Sequence, residues 1–348
     1  MAAGWPAPSR QRPNPDVRWA EVRIAVTGSG GRLGRAVLAA LAEAPFTGIS
    51  GPLAWHRPDY DLDDPAAPVR LLDRDRPELI VHTAAWTDVD GCAREPALAL
   101  RRNGEAVGAL ADAAASAGID LILISTNEIF DGRRTDGRGY RPDERPNPIN
   151  AYGTSKLAGE VAAARAYGWA VDEAGEPTPG PGRPPPTGPS LSIVRTAWLY
   201  GPPGNDFPEK IAHAAERSRA GGEALRVVGD ETGSPTFSAD LADAIVEMIG
   251  SGERLAGIHH AVNGGAISRA GWARAVLAGL AIDVPIDEVP GSTWQRASSP
   301  PAWAVLEAGQ SPATLEPLRA WTAALADYLP TLRRQLAGRP ATATSAPR

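Results

Sequence analysis

The glycine-rich stretch TGSGGRLG follows a short apolar run and opens a helical pattern of apolar residues. Gly28, Gly31 and Gly34 lie three residues apart. Gly28 and Gly30 also match the first two glycines of the G-x-G-x-x-G pattern, but its third position is Leu33. Glycine at such a turn allows positive φ and lets a pyrophosphate approach the backbone, while the helix N-terminus supplies N–H donors. A turn that merely reverses the chain is the alternative. The strand before it, the helix after it and its place at the start of the fold favour dinucleotide binding.

Short apolar segments alternate with helical ones up to about Tyr200, beyond which the alternation becomes irregular. Strands are predicted in GPLAW, ELIVHTAAW, IDLILISTNEIF and LSIVRTAWLY, and helices include 97–117 and 152–167. Such alternation is typical of a parallel sheet covered on both faces. The predicted fold class is therefore α/β: a Rossmann-type, doubly wound parallel sheet with a smaller, irregular C-terminal substrate lobe.

Changes in composition along the chain predict the domain boundaries. Residues 171–190 are rich in proline and glycine, which predicts a solvated loop; a proline-rich ligand for a partner protein is the alternative. The predicted organisation is a disordered lead-in over 1–20, an NAD(P)-binding Rossmann domain over 21–198 onto which 226–250 packs back, a substrate-binding lobe over 199–225 and 251–335, and a disordered tail over 336–348.

The composition favours a cytoplasmic globular protein that binds neither nucleic acid nor membranes. Its net charge of −6 comes from interspersed charges of both signs, and Cys92 is the only cysteine. The sequence has no run near the roughly 18 apolar residues of a membrane helix, and its first residues do not resemble a signal peptide. The five histidines lack zinc-like spacing, so no metal site is predicted.

The second strand bears on the choice of cofactor. An acid at its end would hold a ribose 2′-hydroxyl, whereas a cation would hold a 2′-phosphate. His56 and Arg57 favour the phosphate, while Asp59 and Asp61 favour the hydroxyl or serve only as turn and cap residues. NADPH is accordingly favoured over NADH.

Tyr152 and Lys156 are four residues apart and share a face of the predicted helix. A neighbouring ammonium favours the phenolate and is expected to bring the pKa of the tyrosine towards neutrality. The chain has 33 arginines and two lysines, so a lysine here indicates a role that the arginine fork cannot fill. An exposed Tyr–Lys pair without function is the alternative. A third hydroxyl is expected from the end of the fourth strand, where Thr126 is preferred to Ser125.

These motifs together resemble a known family, the extended short-chain dehydrogenase/reductases, and within it the dTDP-4-dehydrorhamnose reductase branch. The resemblance covers roughly residues 22–330. It rests on the order and spacing of GSGGRLG, HTAAWTDVDGCAREP, STNEIFDG, NPINAYGTSKLAGE, VRTAWLYG and GSPTFSADLA. Members reduce the C4 ketone of a nucleotide-linked 4-keto-6-deoxyhexose with NADPH or NADH.

The resemblance implies a role for each matching residue. Tyr152 would protonate the developing alkoxide, Lys156 would hold the ribose and Thr126 would orient the ketone. The cofactor would contact both Tyr152 and Lys156 together with Gly28, Gly30, Gly31, Arg32, Leu33, Gly34, His56, Arg57, Asp61, Leu62, Ala84, Ala85 and Trp86. The sugar nucleotide would contact Thr87, Asn127, Glu128, Trp198 and Arg296, although Trp198 also suits a core aromatic at a strand end.

Two departures from the family pattern concern the sugar site. Asn127 and Glu128 stand where the family usually has aspartate and tyrosine, and the resulting Thr-Asn-Glu is similar to the Thr-Asp-Glu of sugar-nucleotide 4,6-dehydratases. A neutral asparagine is a poor acid for that elimination. Arg296 is the candidate replacement for a missing Arg-Pro pair near the C-terminus. The alternatives to a reductase are a dehydratase or epimerase, and a non-catalytic NAD(P)-binding regulatory subunit; the chain is expected to be a monomer or a homodimer.

Overall fold

The computed structural model describes residues 21–170, 188–251, 256–307 and 318–338. The expected lead-in over 1–20, most of the expected loop over 171–190 and most of the expected tail lie outside the described residues. The last described helix continues to Gly338 and so includes the first three residues, 336–338, of the predicted tail.

Fifteen strands and ten α-helices are present in the described residues. The strands are β1 (Ile24–Thr27), β2 (Leu53–Trp55), β3 (Leu79–His82), β4 (Asp120–Thr126), β5 (Leu191–Thr196), β6 (Leu199–Tyr200), β7 (Leu225–Val228), β8 (Thr232–Gly233), β9 (Thr236–Phe237), β10 (Gly257–His260), β11 (Asn263–Gly264), β12 (Ile267–Ser268), β13 (Ile286–Val289), β14 (Trp303–Ala304) and β15 (Leu318–Ala320). The helices are α1 (Arg32–Ala42), α2 (Ala67–Asp75), α3 (Val89–Arg94), α4 (Pro96–Leu100), α5 (Ala106–Ser116), α6 (Ala151–Ala166), α7 (Phe207–Gly221), α8 (Ser238–Gly250), α9 (Arg269–Leu280) and α10 (Trp321–Gly338).

Six parallel strands form the central sheet in the order β10-β5-β4-β3-β1-β2. Alternate residues of each strand enter the two cores, as the period of two requires. Ile122 of β4 packs with α1 and α8 on one face, and Leu121 and Leu123 pack with α2, α5 and α6 on the other. The sheet is therefore doubly wound, which confirms the predicted fold class.

The chain leaves β1 for β2 on one side and returns to β3 on the other. This change of direction makes β1 and β3 the topological switch point of the sheet, where a crevice opens beyond the carboxyl ends of the strands. The glycine-rich turn follows β1 directly. The sheet thus places the turn where doubly wound folds bind their ligands.

The second lobe is built from α7, α9, α10 and several short strands, and its boundaries differ from the prediction. Strand β10 lies within the predicted lobe but pairs with β5 at the edge of the central sheet. Within 226–250, helix α8 packs against α1, whereas β7 pairs with β13 inside the lobe. Both differences have one cause: these four-residue strands are too short to carry a periodic signal, and β10 contains Gly257 and two histidines.

The helix predicted over 97–117 is interrupted. Between α4 and α5 the backbone forms a π-helical turn over Arg101–Glu105. Such turns are frequent at functional sites because they reorient a side chain within a helix. Here the turn buries Asn103, which contacts both the end of β3 and helix α6.

Candidate active site

The glycine turn is shaped by two positions that admit no side chain. Gly28 has φ +62°, and a Cβ added to it would lie 2.7 Å from both Cα and N of Ala84. A Cβ on Gly34 would strike the carbonyl oxygen of Gly28 and lie 2.7 Å from Cα of Ser29. Gly30, in contrast, has nothing within 4 Å of a built Cβ. The turn therefore packs tightly on the chain after β3 and stays open above Gly30.

Helix α1 begins at this turn without a side-chain cap. Its N-cap residue is Gly31, and its first turn contains no acidic residue. The N–H groups at the helix start thus keep hydrogen-bonding capacity for an anion, and the helix dipole favours negative charge at the same place. These features, with the open space above Gly30, fit the pyrophosphate of a dinucleotide.

The end of β2 lies beside the turn. Nδ1 of His56 is 3.2 Å from Oγ of Ser29, and the exposed Arg57 follows it. The carboxylates behave differently: Asp59 pairs with Arg74 at 3.0 Å, and Oδ1 of Asp61 accepts from a backbone N–H at 3.1 Å. Leu62 packs against the sheet core. Of these groups, the imidazole of His56 and the guanidinium of Arg57 suit a 2′-phosphate.

Arg32 and Leu33 face away from the open side of the turn. The Arg32 guanidinium donates to the carbonyl oxygens of Gly201 and Gly204 and lies 3.3 Å from Asp206, and Leu33 is buried between α1 and the sheet. The predicted cofactor contacts of Arg32 and Leu33 would therefore come from their backbone N–H groups and not from these side chains. Arg32 instead links the turn to the loop that starts the second lobe, because the carbonyl oxygens of that loop accept hydrogen bonds from its guanidinium.

The segment after β3 forms the opposite wall of the crevice. Ala84 lies against Gly28, and Ala85 follows it. Trp86 is held by reciprocal hydrogen bonds with Asn103: its N–H donates at 2.8 Å and its carbonyl accepts at 3.0 Å. Thr87 is exposed at the mouth. Asn103 was not predicted, and nothing in RRNGEA distinguishes it from an ordinary helical residue.

Tyr152 and Thr126 are brought together by β4 and α6. Asn150 caps α6 by accepting from the Gly153 N–H at 2.8 Å, which fixes the helix start and presents Tyr152 to the end of β4. The Thr126 hydroxyl lies close enough to the phenol to act on its pKa. Ser125 donates instead to Glu160, two turns further along α6, which forms a buried pair with Arg195. The geometry therefore supports Thr126 rather than Ser125 as the third hydroxyl.

Lys156 lies one turn further along α6 and is 4% exposed. Its Nζ donates to the carbonyl of Ile124 at 2.9 Å. Burial lowers the pKa of Lys156 to about 8, and the charge of Glu160 acts in the opposite direction. The pair predicted from the i, i+4 spacing thus lies beside the crevice.

The pKa of Tyr152 is raised, which corrects the expectation that Lys156 lowers it. Burial is the main cause, and the negative charge of Glu128 adds to it, while the nearby Thr126 hydroxyl opposes both. The ammonium of Lys156 donates to a backbone carbonyl and does not contribute to the pKa shift of Tyr152. The phenol is therefore protonated at neutral pH.

The predicted sugar-binding residues have different surroundings. Asn127 is buried and its Nδ2 donates to the carbonyl of Ala304 at 3.4 Å, whereas Glu128 accepts from Nδ2 of Asn150 at 2.7 Å. Trp198, with φ +40°, stacks on Trp272 with ring centroids 5.7 Å apart. Arg296 pairs with Glu231 at 3.3 Å.

Three further residues of this region were not predicted from the sequence. Arg269 covers the ring of Trp198, Glu231 pairs with Arg269 and Arg296, and Asn150 holds Glu128. Asn150 could have been found as an N-cap residue just before the predicted helix. Arg269 and Glu231 approach Glu128 only through the tertiary fold, so no local signal marks them.

Comparison with known proteins identifies similar chains. The family model RmlD substrate binding domain matches residues 22–171 and 185–334. A dTDP-4-dehydrorhamnose reductase of Streptomyces griseus is 35% identical, over 94% of this chain and 98% of its own. One from Mycobacterium tuberculosis is 34% identical, over 88% of this chain and 92% of its own.

A solved structure extends the similarity to three dimensions. The crystal structure of a Bacillus anthracis dTDP-4-dehydrorhamnose reductase in complex with NADP aligns with a TM-score of 0.76 and 26% identity, covering 89% of this chain and 99% of that one. No helix in the described part of the chain has the length and apolar character needed to cross a membrane.

Proposed function

The chain belongs to the RmlD substrate binding domain family, and from this premise we propose that it reduces the C4 ketone of a nucleotide-linked 4-keto-6-deoxyhexose with NADPH. NADH is the alternative cofactor. Relatives that match nearly the whole chain are named as dTDP-4-dehydrorhamnose reductases, and a similar solved structure is a complex with NADP. A location in the cytoplasm and a monomeric or homodimeric state stay predictions.

One observation carries the proposal: the hydroxyls of Thr126, the last residue of β4, and of Tyr152, in the first turn of α6, are neighbours at the carboxyl edge of the sheet, beside the glycine-lined crevice. Two hydroxyls so placed can bind one carbonyl oxygen. Lys156 adds a buried positive charge on the same helix. A carbonyl reduction needs these groups, whereas binding of a dinucleotide alone does not.

When bound, NADPH supplies the hydride that reduces the ketone. Tyr152 holds the proton that the alkoxide oxygen then takes up, and its raised pKa keeps that proton in place until negative charge develops on the substrate. Thr126 orients the carbonyl oxygen toward the phenol. Lys156 would bond the ribose hydroxyls and supply positive charge beside the reacting groups.

The alternative functions fit the side chains less well. A dehydratase needs an acid to protonate the leaving hydroxyl, but Asn127 carries an amide that is directed to the Ala304 carbonyl. A regulatory subunit needs only the cofactor crevice, and so would not require the hydroxyl pair and Lys156. Neither alternative uses as many of the observed groups as a reductase does.

Turnover of NADPH by the purified full-length chain tests the proposal. A panel of dTDP-linked 4-keto-6-deoxyhexoses should give NADPH oxidation together with the 4-hydroxy sugar nucleotide. Saturable binding of NADPH without oxidation on any member of the panel would favour the regulatory subunit. A product formed by elimination of water would favour the dehydratase.

A further inference from the structure

Arg32 connects the glycine turn to the chain that enters the second lobe. It is the first residue of α1, so its backbone belongs to the turn. Its guanidinium donates to the carbonyl oxygen of Gly201 and, at 2.8 Å, to that of Gly204, and it pairs with Asp206 at 3.3 Å. All three partners lie in residues 201–206, the junction loop, which joins β6 to α7. One side chain of the nucleotide-binding half thus bonds three groups of this loop.

Asp206 is the buried end of this contact. Its side chain is inaccessible to solvent, and that of Arg32 is 18% exposed. One carboxylate oxygen accepts from the Gly201 N–H at 2.9 Å, and the other caps α7 by accepting from the Glu209 N–H at 2.9 Å. Hydrogen bonds to an ionised group are strong and directional. The ion pair therefore fixes the shape of the junction loop and the start of α7 together.

The chain held by Arg32 has an unusual backbone. Trp198 and Asn205 have φ +40° and +58°, values that residues other than glycine rarely adopt. Gly201 and Gly204 also have positive φ, of +129° and +105°. Strained conformations of this kind persist only where the surrounding contacts determine them. Because Arg32 bonds the carbonyl oxygens of both glycines, it supplies contacts of that kind to the same short stretch.

The ring of Trp198 is fixed from the other side, by the second lobe. It stacks on Trp272 of α9 with ring centroids 5.7 Å apart, and the guanidinium carbon of Arg269 lies 3.5 Å from its centroid. A Cβ added to Gly233 of β8 would lie 2.5 Å from Cε2 of the indole. Only the two residues of β6 separate Trp198 from the junction loop. The second lobe and the junction loop therefore determine jointly where the indole lies relative to the glycine turn.

We propose that Arg32 is a positioning residue for the reaction: it holds the junction loop, and with it Trp198, against the glycine turn. The sugar nucleotide then binds at the correct distance from the cofactor. This inference rests on the proposed function. The three groups that the guanidinium bonds belong to the protein, so its effect on the sugar nucleotide is exerted through the junction loop.

The glycine turn does not depend on the Arg32 side chain for its own shape. That shape follows from the close backbone contacts of Gly28 and Gly34. Arg35, one turn further along α1, is exposed and donates from Nε to the Gly30 carbonyl at 2.8 Å. Two arginines of one helix thus bond carbonyl oxygens, Arg32 between the lobes and Arg35 within the turn. Arg35 is therefore the matched control.

Equilibrium binding and kinetics with dTDP-4-keto-6-deoxyglucose test the proposal. The full-length wild type is compared with Arg32→Met, Arg32→Lys and Arg35→Met, and thermal melting establishes that each variant is folded. Calorimetry with saturating NADP⁺ gives the Kd of the sugar nucleotide without turnover, and assays with NADPH give KM and kcat. Titration with NADPH gives the affinity for the cofactor. Arg32→Lys keeps a positive charge beside Asp206, but its ammonium cannot bond three groups as the planar fork does.

Arg32→Met should raise the Kd and KM of the sugar nucleotide about tenfold, with kcat changed less than about threefold and NADPH affinity less than about twofold. Arg32→Lys should give an intermediate increase. Arg35→Met should leave the Kd and KM of the sugar nucleotide at wild-type values.

Wild-type Kd and KM in folded Arg32→Met would overturn the inference and leave the reductase proposal intact. If that variant does not fold, wild-type values in Arg32→Lys would have the same meaning. A loss of NADPH affinity as large as the loss of sugar-nucleotide affinity would also overturn it, because Arg32 would then serve the turn itself. A wild type that neither binds nor reduces the sugar nucleotide would instead count against the proposed function.

Discussion

Ser125 and Thr126 are adjacent hydroxyls with different environments. Ser125 meets Glu160 in the middle of α6, whereas Thr126, the last residue of β4, meets Tyr152 in the first turn of the same helix. The first hydroxyl stabilises a buried ion pair, and the second contributes to the candidate site. At the residue scale, the position at the carboxyl end of β4 and the buried pair that engages Ser125 therefore decide which hydroxyl is available to a ketone.

Tyr152→Phe should reduce turnover by at least about 10²-fold, because it removes the proposed proton donor and keeps the ring. Tyr167→Phe is the matched control: it also removes a phenolic hydroxyl, at the C-terminal end of α6, where that hydroxyl donates to the Ile119 carbonyl at 2.7 Å. The control should be active and lose roughly 1 kcal/mol of stability. Rates near normal in Tyr152→Phe, measured with saturating NADPH, would remove the tyrosine from its proposed role.

The pH dependence of reduction should report Lys156. Its pKa of about 8 in the protein means that the ammonium is present below that pH and is lost above it. The pKa of Tyr152 is raised, so the phenol keeps its proton through the same region. We expect kcat/KM to be constant below about pH 8 and to decrease above it. A flat profile across that region would show that the charge of Lys156 is not needed.

At the scale of elements, the glycine turn is the local structure that the sequence predicts best. Its spacing predicted a dinucleotide turn, and the structure adds the reason for each glycine: Gly28 needs positive φ and contact with Ala84, and Gly34 needs close approach to Gly28. Gly30 meets neither condition. Sequence spacing cannot separate these cases, because the contacts form only when the chain after β3 packs on the turn.

Gly34→Ala should therefore lower both stability and NADPH affinity, since the added methyl group overlaps the turn backbone. Gly30→Ala should leave stability unchanged, because its Cβ would meet no protein atom within 4 Å. Chemical denaturation and NADPH titration measure the two effects separately. Equal stability of the two variants would contradict the packing described for Gly34.

The Glu160–Arg195 pair joins helix α6 to strand β5, and both side chains are nearly fully buried. Glu160→Ala should cost about 3–5 kcal/mol, because it leaves the guanidinium of Arg195 buried without its partner. Glu288→Ala, which breaks a half-exposed pair with Arg274, should cost less than about 1 kcal/mol. Urea unfolding of the two variants provides the comparison, and similar losses in both would mean that burial of the first pair is unimportant.

At the scale of the whole molecule, the sequence predicted the alternating sheet and its helices but not the path of the chain between lobes. Long periodic elements such as α6 and β4 carry their own signal. Strands β7 and β10 carry no such signal, because a strand of four residues could belong to either lobe. Their pairing with β13 and β5 decides the lobe in which each strand lies. The same limit applies to the site: Tyr152 and Lys156 share one helix, whereas Arg269 comes from a distant one.

The two lobes should unfold together. Arg32 links the glycine turn to the loop before α7, and Ser298 N–H donates to Asp90 at 3.0 Å across the mouth. We expect a single thermal transition that NADPH moves to higher temperature, by an amount equivalent to about 2.7 kcal/mol at a hundredfold excess over its Kd. Calorimetry would contradict this coupling if it resolved two transitions of which only one responded to NADPH.

Strand β10 and helix α8 complete the nucleotide-binding half after the chain has already visited the other lobe. A gene fragment that stops after Tyr200 would leave β5 as an open edge and uncover the apolar surface of α1, which favours aggregation. Chimeras between relatives must therefore exchange residues 238–250 and 257–260 along with the N-terminal half. The second lobe has one segment before α8 and another after β10, so it has to be exchanged in pieces.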